Sequence, residues 1–120
     1  MNINEINEGN RLIAEFIGWK NIGMKDLELW QRFPNDMGIT TPQCKFHSDW
    51  NWLMSVVEKI IKEYRTDYYN EYDMCQPDLY SVTIGYDAKY SSQGLSKNSL
   101  IEATWLAVIE LIKWYNTQKQ

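Results

Sequence analysis

Apolar and polar positions fall into three blocks of helical period, separated by two stretches that break it. In the first block Ile6, Ile13 and Ile17 recur on one side with Leu12 and Phe16 beside them, the spacing of an amphipathic helix. Asn2 and Glu5, three residues apart, form a capping pair, so a helix is predicted from about Ile3 to Ile17, with Gly18 placed to end it. Gly9 in its middle costs about 1 kcal/mol relative to alanine, so this helix must draw its stability from packing.

The second block, Phe46 to Ile61, reads FHSDWNWLMSVVEKII. Ser48 is the expected N-cap and Asp49 the first-turn acid, after which Trp50, Leu53, Val57, Ile60 and Tyr64 form a stripe that Val56 and Ile61 widen. Such a helix spans about 25 Å, enough to be the central element of a small domain. Trp52 lies off the stripe, either as a second contact face or as an exposed anchor; a helix apolar on both sides is expected to be sandwiched. The third block, Ser99 to Asn116, repeats the grammar with Ser99 as cap, Glu102 at the capping-box position, and Ile101, Trp105, Val108, Ile112 and Tyr115 as stripe. Trp105 is expected in the core.

The intervening stretches are less regular. Trp19 to Lys45 is punctuated by Gly23, Pro34, Gly38 and Pro42, and only Asp26 to Phe33 suits a short helix or strand. A connection this long is uncommon without structure of its own, so a turn or two of helix or a functional excursion is expected, with Trp19, Trp30 and Phe33 partly buried against the helices. Asp67 to Asp78 is acidic, tyrosine-rich and closed by Pro77, and reads as a loop. Leu79 to Tyr86 alternates as a strand whose Tyr80, Val82, Ile84 and Tyr86 should face the helices, followed by a turn at Asp87 and Ala88 and a short strand at Lys89 to Ser91. The fold class is therefore α+β: three main helices packed with a small antiparallel β-hairpin or sheet, in a single domain over residues 1–120.

Composition and charge narrow the function. With 44% hydrophobic and 14% aromatic residues, six of them tryptophan, the chain is globular in type. A net charge of −4 disfavours attraction to phosphate backbones, so no direct nucleic-acid partner is expected. Lys59, Lys62 and Arg65 are interleaved with Glu58 and Glu63, the pattern of a solvated helix face. No signal peptide and no membrane span is read from the sequence, which leads to an expectation of a cytoplasmic protein with Cys44 and Cys75 as free thiols.

Candidate chemistry is sparse. Cys44 and His47 have a metal-like spacing, and Cys75 with Asp73 would have to complete the set, but a structural zinc site shows two close ligand pairs and this pattern has one; no metal and no cofactor is expected. Cys44 and His47 as a catalytic couple lack a third orienting residue, and the six glycines form no phosphate-cradling pattern, so no catalytic residue is assigned and the chain is not read as an enzyme. What remains is the cluster Asp67, Tyr68, Tyr69, Glu71, Tyr72 and Asp73, together with Trp30. Tyrosines flanked by carboxylates suit a basic protein surface; they also suit half-buried loop filler.

HSDWNWLMSVVEKI followed by IEATWLAVIELIKWYN, with LIAEFIG near the N-terminus, resembles a family of small uncharacterised proteins of bacteriophages and of mobile elements in Bacteroidetes-type bacteria. The resemblance covers Leu12 to Gly18, His47 to Ile61 and Ile101 to Asn116, and implies a phage setting without carrying over any functional residue. The expectation is an acidic interaction protein acting on a host or phage protein, in its sharpest form an inhibitor of a defence component such as a CRISPR effector. The alternative is a small-molecule binder that sequesters a nucleotide signal by stacking bases on aromatics, for which the sequence offers no clear basic phosphate grip. A surplus apolar face at Trp52 would fit a homodimer.

Overall fold

Three helices and two three-stranded antiparallel sheets build an α+β architecture. The computed structural model describes residues 1–24, 27–64, 66–72, 79–86 and 90–118, with the backbone alone at 64, 66–72 and 86. Helix α1 spans Ile3–Phe16, α2 spans Trp50–Tyr64 and α3 spans Leu100–Gln118. Strands β1 (Lys20–Asn21), β2 (Leu29–Gln31) and β3 (Ile39–Thr40) form one meander, and β4 (Thr66–Tyr72), β5 (Tyr80–Tyr86) and β6 (Tyr90–Ser96) form the second.

Each helix begins on a side-chain cap that satisfies one of its orphan N–H groups. The Asn2 Oδ1 accepts from the Glu5 N–H at 2.9 Å, and its Nδ2 donates back to Glu5 Oε1 at 3.2 Å. Asp49, not Ser48, caps α2: its Oδ1 accepts from the Asn51 N–H at 2.8 Å, while Ser48 lies in the preceding turn. Ser99 Oγ accepts from the Glu102 N–H at 3.2 Å, and the Ser99 N–H itself donates to Ser96 Oγ at 3.3 Å, so β6 hands the chain directly to α3. Helix α1 ends in a left-handed Gly18 (φ +90°), with the Trp19 N–H bonded to the Ala14 carbonyl and the Gly18 N–H to Glu15, the Schellman arrangement that glycine permits.

The central element is α3, rather than the Phe46–Ile61 helix. It packs on β5 and β6 with one side and on α1 with another. Accordingly Ala103, Thr104, Trp105, Ala107, Val108, Ile109, Leu111 and Ile112 are all buried, more than one face of a helix can supply. The sheet side is narrow by composition: β6 turns Ser92, Gly94 and Ser96 inward, and a Cβ at Gly94 would lie 1.9 Å from the Ala103 carbonyl oxygen. Val82 and Ile84 of β5 are fully buried against it, as the alternation predicts. Tyr90 stacks flat on Trp114, with centroids 4.5 Å apart and planes 2° apart. In α2 the buried stripe is Leu53, Val56, Val57 and Ile60; Trp50 and Ile61, expected on it, stand about two-fifths exposed.

The connections carry more strand than the sequence pattern predicts. Trp19 to Lys45 is a small sheet closed by a 3-10 turn at Thr41–Gln43; strands of two or three residues are too short to show a period. Thr66–Tyr72, which overlaps the expected loop, is a full strand, paired with β5 from Thr66↔Tyr86 to Tyr72↔Tyr80. The second strand of the predicted hairpin runs on to Ser96 rather than ending at Ser91. The expected turn at Asp87 and Ala88 and the stretch 73–78 lie outside the described residues.

Candidate interaction and ligand sites

Trp30, a candidate surface contact on sequence grounds, is core: only 2% exposed, it donates its indole N–H to Thr41 Oγ1 at 2.9 Å. The Thr41 hydroxyl donates in turn to Glu28 Oε1 at 2.9 Å, and Glu28 Oε2 accepts from Arg11 Nε at 2.6 Å. This chain ties the small sheet to α1 through groups that each have a partner, so the excursion is a fixed frame. At its far turn Pro34 and a left-handed Asn35 (φ 71°) close the Phe33–Asp36 reversal, with the Asp36 N–H bonded to the Phe33 carbonyl at 3.1 Å. Arg32 clamps that turn, donating from Nε and Nη2 to Asp36 at 2.8 and 3.1 Å, and this guanidinium holds the Asp36 carboxyl well below the usual range.

The frame displays apolar side chains outward. Ile22, Met24, Leu27, Phe33 and Met37 are half of the large apolar side chains exposed among the described residues, and Met24 and Met37 are 86% and 88% exposed. They sit on the two loops that join β1 to β2 and β2 to β3.

Where this sheet meets α2, three aromatics gather. Phe46, buried, has its ring centroid 5.3 Å from both Trp19 and Trp52, and the two indoles approach edge to face at 6.1 Å. Trp52 is thus sandwiched, as expected, but by Trp19 and Phe46. The rings line an open cleft of about 330 Å³ whose rim carries Arg32, Asn51 and Ser55.

The third cluster is internal. Asn10, fully buried, accepts the Trp105 indole N–H on Oδ1 at 2.9 Å, and its Nδ2 donates to the Cys44 carbonyl at 3.2 Å and lies 3.0 Å from His47 Nδ1. The indole can only donate and the carbonyl can only accept, which fixes the amide orientation and makes His47 Nδ1 the acceptor. The ring is therefore the neutral tautomer with its proton on Nε2, and burial pushes its pKa down. Burial also pushes the Cys44 thiol up to about 11, away from the thiolate a nucleophile or metal ligand needs. Cys44 and His47 are thus brought together with Asn10 in a structural contact; Cys75 and Asp73 lie outside the described residues. No cluster of three His, Cys, Asp or Glu among the described residues could hold a metal ion.

Of the acidic tyrosine cluster, Asp67, Tyr68, Tyr69, Glu71 and Tyr72 belong to β4, the terminal strand of its sheet, where Asp67 pairs with Gly85 and Glu71 with Ser81. The residues that sequence reasoning passes over are Asn10, Lys20, Met24, Arg32 and Met37. Only Asn10 leaves a trace, as a polar residue on the Ile6, Ile13, Ile17 stripe.

No protein-family model matches the chain, and neither does any curated protein or solved structure. No helix among the described residues is long and apolar enough to cross a membrane.

Proposed function

We propose that this protein is an interaction module whose binding element is the β1–β3 excursion. The observation that carries the reading is the concentration of exposed apolar side chains on its two loops, above all Met24 and Met37, on a frame fixed by Trp30, Thr41, Glu28 and Arg11. Large apolar side chains held in water are costly, and methionine adapts to varied partner surfaces, so rigid support beneath adaptable tips is the arrangement expected of a binding surface. The partner is a host or phage protein in the bacterial cytoplasm, and the sharpest form of the reading is that binding blocks a defence component such as a CRISPR effector. That form draws on the phage resemblance of the three helical blocks and on the net charge of −4, which suits a basic partner surface.

The test is affinity capture from phage-infected bacteria with wild-type protein and with a Met24→Asp, Met37→Asp variant. A discrete protein should be retained by the wild type and lost by the variant, while the variant's circular dichroism and melting temperature are unchanged. Retention by the variant contradicts the proposal.

A further inference from the structure

The aromatic cleft is built differently from the stacked Tyr90–Trp114 pair. Trp114 has a face covered by the parallel ring of Tyr90, whereas Trp19, Phe46 and Trp52 are mutually tilted by 44°, 73° and 76°, so none of the three is stacked flat on another. Both indoles are only partly buried and line the same opening of about 330 Å³, within the size range of small-ligand sites.

Cations stand at its edge. A neighbouring depression of about 220 Å³ shares Arg32 with the cleft and adds Lys20 and Gln31. Asp36 takes Arg32 Nε and Nη2 and so pins the guanidinium, while Nη1 has no hydrogen bond among the described residues. Lys20 is exposed and makes no ion pair among the described residues, and the Asn51 side-chain amide is likewise uncommitted among them. Lys20 and Arg32 are the two cations of this depression; Asp36 pairs with Arg32, and the Asp49 carboxylate lies beside Asn51 on the cleft side.

We infer that this cleft binds a planar aromatic ring bearing a phosphate, the chemistry of a nucleoside monophosphate. The base lies in the open mouth of the cleft against the exposed parts of Trp19 and Trp52, which already touch edge to face, and Asn51 on the rim offers a donor and an acceptor to its edge. The phosphate lies in the adjoining depression against Lys20 and Arg32 Nη1, a pairing in which the pre-positioned guanidinium loses little freedom. The basic grip that the sequence lacks as a motif is assembled from β1 and the residue just after β2. The site shares the β1–β3 frame with the methionine loops through Lys20 and Arg32, but it uses neither Met24 nor Met37.

The experiment follows indole N–H resonances of the full-length ¹⁵N-labelled chain during titration with AMP, adenosine and ribose 5-phosphate. AMP is expected to shift the Trp19 and Trp52 signals saturably, leaving Trp30 and Trp105, whose N–H groups are bonded inside the core, in place. Adenosine and ribose 5-phosphate should each bind about tenfold or more weakly than AMP, since each keeps half of the recognition. Lys20→Gln, at an exposed position, should weaken AMP about fivefold or more and leave adenosine unchanged, which separates loss of the phosphate contact from loss of fold. Absence of a saturable shift with AMP overturns the inference. So does adenosine binding as tightly as AMP, ribose 5-phosphate binding as tightly as AMP, or a Lys20→Gln variant that binds AMP like the wild type.

Discussion

The amide oxygen of Asn10 in α1 accepts the indole N–H of Trp105 in α3 at 2.9 Å, joining positions 95 residues apart in the chain. With the Cys44 carbonyl and His47 Nδ1 on its nitrogen, this single buried side chain links both helices to the segment that leads into α2. Replacing Asn10 with alanine leaves the Trp105 N–H and the Cys44 carbonyl without that partner in the interior. The expected loss is about 3 kcal/mol, read as a lower urea midpoint at unchanged slope. In a double-mutant cycle with Trp105→Phe, the pair should couple by about 1 kcal/mol or more; strict additivity would show that the bond contributes nothing.

Acid should weaken the fold through the same cluster. The folded His47 has a pKa below its ordinary value, so as pH falls through about 6.5 the unfolded chain takes up a proton before the native one does. Stability is then full above the unfolded pKa and is lost downward toward the folded value. Urea midpoints should fall between about pH 7.5 and pH 5.5, a window above the ordinary carboxylate range. In His47→Asn, where the amide oxygen takes the place of Nδ1 as acceptor from Asn10 and nothing titrates, that fall should shrink.

Two glycines hold close approaches that helix and strand propensities alone would oppose. A Cβ at Gly9 would meet Trp105 Cζ2 at 2.1 Å and Cη2 at 2.4 Å, so Gly9→Ala should destabilise by about 1 to 3 kcal/mol in spite of the gain in helix propensity. Gly94→Ala should be worse, because the obstacle is the Ala103 backbone and not a ring that can tilt. Gly85, where an added Cβ would meet nothing within 4 Å, is the control, and thermal melts of the three alanine variants give the order.

Much of the helical frame is legible in the sequence because a period of 3.6 and a side-chain cap are both local signals. The caps at Asn2 and Ser99 and the stop at Gly18 stand where those signals place them, and only the choice between Ser48 and Asp49 goes to the neighbour, decided by which oxygen reaches the Asn51 N–H. Strand β4 is hidden because TDYYNEY has no clean alternation; its conformation follows from pairing along β5, where Val82 and Ile84 do alternate. The burial of Trp30 depends on a bond to Thr41, beyond the end of β3, and the cleft depends on Trp19, Phe46 and Trp52 meeting from three separate segments. Neither follows from spacing along the chain. Asn10, which sequence reasoning passes over, does stand in register with Ile6, Ile13 and Ile17, a polar residue on a buried stripe that needs a hydrogen-bond partner.

Binding through the β1–β3 loops is tested most directly by calorimetric titration of the purified partner. Met24→Asp with Met37→Asp is compared with Ile61→Asp and Leu95→Asp, exposed apolar positions on α2 and β6. The predicted result is a loss of affinity of about tenfold or more for the methionine pair, whose melting is unchanged, with wild-type affinity in the two controls below their own melting temperatures. Equal affinity for the methionine variant, or a larger loss at Ile61 or Leu95, would contradict it.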